Sequence, residues 1–135
     1  MALLFPRVGL ARVLADLAGD TLTLRLFSND VTPAATDTSA SYTEVTGGGY
    51  SAIALTGANW TAVSNVNPVY MTYNAFLTFN FTGTTGGGGD IYGYYITRAS
   101  GEVVAAQQFP VASRPFTPVN GSYVKIKPRI TCDNA

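Results

Sequence analysis

The 3.6-residue apolar period occurs once in this chain, and everything after it is written in a different rhythm. Leu10, Val13, Leu14 and Leu17 recur at i, i+3, i+4 and i+7, with Arg12 and Asp16 turned to the opposite side. That spacing predicts one short amphipathic helix over Arg7 to Ala18, opened by Pro6 and closed by Gly19. The period then becomes two. Leu22, Leu24 and Leu26 alternate with Thr21, Thr23 and Arg25, which places three leucines on one face of a strand. Composition follows the second rhythm: Thr, Val, Tyr and Phe are plentiful, whereas the strong helix formers Glu, Lys, Gln and Met occur only two each.

Fourteen glycines and seven prolines punctuate the apolar runs. Further strands are expected at Tyr50 to Thr56, at Val69 to Phe81 with a break near Asn74, and at Ile91 to Arg98. Two more are expected at Glu102 to Phe109 and at Ser122 to Ile130, the latter interrupted at Pro128. Ala99-Ser-Gly101 reads as a tight hairpin, and the polar stretch from Asn29 to Ser41 reads as loop. The expected fold is mainly β: an antiparallel β-sandwich or barrel, jelly-roll or Ig-like, with one short N-terminal helix. With 135 residues the chain makes a single domain, in which residues 1–20 form an apolar arm and helix and residues 21–135 the β domain.

The residue inventory removes most chemistries. There is no histidine, so the commonest general base, the commonest metal ligand and every Ser/His or Cys/His nucleophile pair are missing, and no enzyme activity and no cofactor are expected. Formal charge is zero, only 12% of residues are charged, and Lys125, Lys127 and Arg129 form the one basic cluster, which argues against nucleic acid as a partner. No apolar run is long enough for a membrane span, and the start lacks the basic region of a secretory signal. The single cysteine, Cys132, allows no disulfide within the chain, which suits synthesis in a cytoplasm. Gly86 to Gly89 lacks the Gly-Lys-Ser/Thr ending of a phosphate cradle and reads as a flexible loop tip. Asp30, Asp37 and Glu44 lack the spacing of a calcium loop, and nothing singles out Glu44 with Glu102 or Asp90 as a glycosidase pair. Most aromatic residues belong in a core. Trp60, Tyr92 and Tyr94 are the candidates for an exposed surface that stacks on a sugar or meets a protein.

Several short motifs follow in a particular order: Leu24-Arg-Leu-Phe-Ser-Asn-Asp-Val-Thr-Pro33, Tyr42-Thr-Glu-Val45, Gly49-Tyr50, Leu55-Thr-Gly-Ala-Asn-Trp60, Ile91-Tyr-Gly-Tyr-Tyr95 and Lys127-Pro-Arg-Ile-Thr131. In that order, over nearly the whole chain, they resemble a family of small virion structural proteins of tailed bacteriophages, including phages of cyanobacteria. The Gly86 to Gly89 neighbourhood departs from the family pattern. The resemblance implies no catalytic residue. It implies a capsid decoration, or cement, protein that binds the outer head lattice and stabilises it, located on the virion, with the major capsid protein as partner and a homo-oligomer, a trimer first, as its state. Candidate subunit or capsid contacts are Leu3, Leu4, Phe5, Pro6 and Arg7, because an apolar arm gains contact area by ordering against a neighbour. The alternatives are a tail, neck or baseplate component, and a carbohydrate-binding module on a receptor-binding appendage.

Overall fold

The structure, a computed structural model, describes residues 6–63 and 68–132. Helix α1 spans Arg7–Ala18, as the apolar period predicts, and buries Leu10 and Leu14. Gly19 ends it, its N–H donating to the carbonyls of Ala15 and Asp16. Among the described residues nine strands follow: β1 (Leu22–Phe27), β2 (Ile53–Leu55), β3 (Trp60–Val63), β4 (Val69–Tyr73), β5 (Leu77–Asn80), β6 (Gly93–Thr97), β7 (Val103–Gln108), β8 (Tyr123–Ile126) and β9 (Arg129–Cys132). Every pairing is antiparallel. The protein is therefore mainly β, with antiparallel sheets in a sandwich-like arrangement and one short helix at the N-terminal side.

One sheet has the order β2-β1-β6-β7. Its inner face carries Leu22, Leu24 and Leu26, all fully buried, opposite Tyr94 and Ile96 of β6. The other layer consists of β3-β4-β9 and the β5-β8 pair. These two ladders are one bent ribbon: β4 runs into β5 while β8 runs into β9, and the Tyr73 N–H donates to the Pro128 carbonyl at 2.9 Å across the bend. Asn74 to Phe76 are the extra residues that make the bend, which accounts for the expected breaks near Asn74 and at Pro128. Between the layers lies the main core, to which α1 contributes Leu10 and Leu14 while packing on β3, β4 and β9.

The outer face of the four-stranded sheet is also covered. Asn29 accepts from the Thr43 N–H at 2.8 Å and donates to the Ser41 carbonyl at 2.9 Å, which closes the Asn29 to Ser41 loop back on itself. The Tyr42 ring then lands 5.1 Å from both Phe27 and Tyr95, forming a second apolar cluster with Val31, Tyr92, Val103 and Ala106 around it.

Three features depart from the sequence expectation. β3 replaces part of what reads as connection, because Trp60 to Val63 has too few residues for a visible period and is held by its partner β4. The Tyr50 to Thr56 candidate shortens to the three residues of β2. The glycine-rich segment is not a free loop tip: the Gly86 N–H donates to the Thr46 carbonyl at 2.7 Å and the Thr82 N–H to the Gly48 carbonyl at 2.9 Å. Gly48, at φ +60°, would carry a Cβ only 2.7 Å from the Gly83 carbonyl oxygen, so glycine is needed there for close approach.

Candidate interaction surfaces

Leu3, Leu4 and Phe5 lie outside the described residues. Pro6 and Arg7 are exposed at the start of α1. The aromatic surface expected from Trp60, Tyr92 and Tyr94 is corrected: none of the three is exposed, and they do not share a face. Trp60 pairs with Tyr73 across β3 and β4, their rings edge to face at 5.1 Å, and its Nε1 is buried without a hydrogen-bond partner among the described residues. Tyr94 faces the main core beside Phe109 and donates its hydroxyl to Gln107 at 2.6 Å. Tyr92 precedes β6 and packs in the outer cluster. Each sits in a paired segment whose neighbours cover the ring, a non-local fact that alternation within one strand does not carry. Among the described residues the exposed aromatic side chains are instead Phe76, at 64% exposure, and Tyr123, at 57%.

The carboxylates weighed for calcium or glycoside chemistry are each engaged separately. Glu44 accepts from Arg25 Nη1 at 2.8 Å and from the Tyr50 hydroxyl at 3.0 Å, and the Tyr50 oxygen accepts from the Leu26 N–H at 3.2 Å. With both side chains about a third exposed, the Arg25–Glu44 pair contributes about 1 kcal/mol after screening. Burial pushes the Tyr50 hydroxyl well above its ordinary pKa; the Leu26 N–H opposes this and the Glu44 charge adds to it. Asp37 accepts from the Tyr42 hydroxyl at 2.7 Å and from the Ala34 N–H at 2.8 Å, and these two bonds hold its pKa below the usual carboxylate value. Asp30 accepts from Gln108 and Asp90 from Thr117. Among the described residues no three Asp, Glu or Cys side chains gather as a metal site. These bonds pin loops to strands.

Two surfaces are organised enough to meet a partner. The first is a cleft of about 810 Å³ between the C-terminal half of α1, the segment Asp37 to Ser39 and the β6–β7 hairpin. Its floor includes Val13, Leu17, Val103 and Val104, and Asp16, Asp20, Asp37 and Glu102 stand around it. Arg98, also in the cleft, bridges Asp20 and Glu102, both at 3.0 Å. Neither Glu44 nor Asp90 lines it.

The second is the outer face of the ribbon. From Tyr123 to Cys132 the pattern of two runs without interruption through Pro128: Tyr123, Lys125, Lys127, Arg129 and Thr131 are exposed, and the residues between them are buried or half-buried. Successive cations therefore stand about 6.6 Å apart along the strand direction. Lys125 lies over the Tyr123 ring at 5.5 Å, Lys127 over Phe76 at 5.7 Å and Arg129 over Tyr70 at 3.5 Å. No Asp or Glu occurs in Val69–Asn80 or in Tyr123–Cys132. The sequence shows this cluster as three basic residues in five; that they form one row beside the exposed Phe76 and Tyr123 follows from the β5–β8 and β4–β9 registers.

No family model matches this chain, and no curated protein and no solved structure shows significant similarity to it.

Proposed function

We propose that this chain is a structural protein of a tailed-phage virion, a decoration protein that binds the outer lattice of the head. The observation that carries this proposal is the ordered set of motifs that resembles small phage virion proteins, together with where those motifs lie. Leu24 to Pro33 supplies β1 and the Asn29 clamp, and Tyr42 to Val45 supplies the Tyr42 ring and the Glu44 carboxylate. Tyr50 braces Glu44, Trp60 opens β3, Ile91 to Tyr95 leads into β6, and Lys127 to Thr131 forms part of the exposed row. Each is a framing or surface position, which suits a protein whose work is to hold shape and present contact area.

A capsid under internal pressure is strengthened when many copies of a stiff subunit straddle its seams. Stable contacts of this kind bury about 1,200–2,000 Å² each, so a decoration protein needs well-defined outer faces rather than an enclosed pocket. Pro6 and Arg7, exposed at the start of α1, with Leu3, Leu4 and Phe5 before them, remain the proposed lattice contact. The carbohydrate-binding alternative loses its platform with the half-burial of Trp60, Tyr92 and Tyr94.

Quantitative mass spectrometry of purified virions tests the proposal. A decoration protein is present on the order of hundreds of copies per particle, because it follows the capsid lattice, whereas a neck, tail or baseplate adaptor follows a closed ring of about a dozen. The first result is expected. The second moves the protein to the tail, and absence from particles ends the virion proposal.

A further inference from the structure

We propose that this protein associates with itself head to tail, the cationic row of the ribbon on one copy seating in the acidic cleft of the next. The zero net charge conceals a strong separation. Three of the eight basic residues lie on one face whose strands, among the described residues, carry no Asp or Glu, and among those residues none of the three meets a carboxylate within salt-bridge distance. Of the remaining cations, Arg12, Arg25 and Arg98 are already committed to Asp16, Glu44 and the Asp20–Glu102 pair. The cleft carries the opposite excess, four lining carboxylates against two guanidinium groups, Arg98 within it and Arg12, which pairs with Asp16 from beside it.

Shape and polarity match as well as sign. The ribbon face ends in aromatic tips, Phe76 and Tyr123, flanked by Lys127 and Lys125. The cleft offers an aliphatic floor, on which Val13 is 44% exposed, inside an acidic rim. Aromatic anchors in an apolar depression, ringed by complementary charge, are how protein interfaces combine affinity with register. The row also fits a folded protein surface better than a nucleic acid strand, because its own cations lie over the ring faces on which bases would stack. No residue that lines the cleft lies on the ribbon, so the two surfaces are separate on one copy. A contact between unlike faces is heterologous, and it closes into a ring when its rotation divides the circle.

Two charge-reversal variants of the full chain test this. One carries Lys125→Glu, Lys127→Glu and Arg129→Glu; the other carries Asp16→Lys and Glu102→Lys, whose side chains are 70% and 67% exposed. Circular dichroism first establishes that both remain folded. In sedimentation experiments the wild type should self-associate, more weakly as salt rises, and each variant alone should associate about a hundredfold less tightly. Mixed, the two variants should associate again, because the native ribbon of one meets the native cleft of the other and the two reversed surfaces also carry opposite charge. A wild type that stays monomeric at millimolar concentration overturns the proposal, as does association that both variants preserve. Binding of a fluorescent oligothymidylate that depends on the cationic row, by a monomeric wild type, overturns it in favour of nucleic acid. The measurements use free protein, so they succeed or fail independently of whether the chain decorates a particle.

Discussion

The four-stranded sheet and the bent ribbon share one core, yet they treat their other faces differently. The outer face of the sheet is roofed by the loop from Asn29 to Tyr42, so Phe27 and Tyr95 are as buried as the leucines on the inner side. The outer face of the ribbon stays wet, and the same strand period there delivers lysine, arginine and exposed rings. A sheet sealed on both sides tolerates change on neither. A half-sealed ribbon divides the work, with one set of residues holding the fold and the other free to serve contact. This contrast predicts a steep gradient of mutational cost across the molecule.

The largest effect is expected at Gly93, where the sheet is tightest. A Cβ there would press on the Gln107 carbonyl oxygen and lie 2.5 Å from the Phe27 ring, so backbone on one side and a buried ring on the other leave no room. Gly93→Ala should cost more than about 3 kcal/mol, and denaturant titration that finds a near-native midpoint would show that the sheet yields more easily than its packing implies. Phe27→Ala comes next. It removes a fully buried ring that contacts Tyr42 and Tyr95, and should cost about 3–5 kcal/mol by the same assay.

Tyr50→Phe sharpens the comparison at the edge of the sealed region. Its hydroxyl accepts from the Leu26 N–H and donates to Glu44, so at neutral pH the variant should lose about 1–2 kcal/mol. The pKa of this hydroxyl is raised in the folded state, chiefly by burial, so ionisation is easier in the unfolded chain. Its contribution is therefore complete below about pH 10 and is lost as pH climbs beyond that. Stability measured through the alkaline range should fall less steeply in Tyr50→Phe than in the wild type; parallel curves would mean that the hydroxyl ionises freely when folded. The smallest effect belongs to the ribbon. Phe76→Ala, at a side chain 64% exposed, should change stability by less than about 0.5 kcal/mol while weakening self-association, and a large loss of stability would erase the distinction between the two faces.

Part of this gradient is legible in the sequence. The apolar period placed α1 at Arg7–Ala18, the Leu22 to Leu26 alternation placed β1, and Ala99-Ser-Gly101 placed the β6–β7 turn, where Gly101 takes φ +91°. The break at Asn74 and the interruption at Pro128 were also visible, although not that they lie opposite each other. Of the candidate contact residues, Pro6 and Arg7 are exposed, while the aromatic choice of Trp60, Tyr92 and Tyr94 missed Phe76 and Tyr123. A signal for Tyr123 existed in its place at the head of the alternating run to Thr131. Phe76 carried none, because its exposure comes from the bend.

What the sequence by itself determined is everything set within a few residues: helix against strand, which side chains share a face, and where glycine or proline must turn the chain. Those choices depend on backbone sterics and side-chain period, which act locally. Only the tertiary structure decided which face of each strand would be covered. Phe27 and Arg129 both stand on the outer side of their strands, yet one is sealed beneath Tyr42 and the other lies exposed over Tyr70. The difference rests on a loop that folds back through the Asn29 bonds to Ser41 and Thr43, and on strands that pair across dozens of residues. Burial is a property of what arrives from elsewhere in the chain, and no local pattern encodes the arrival.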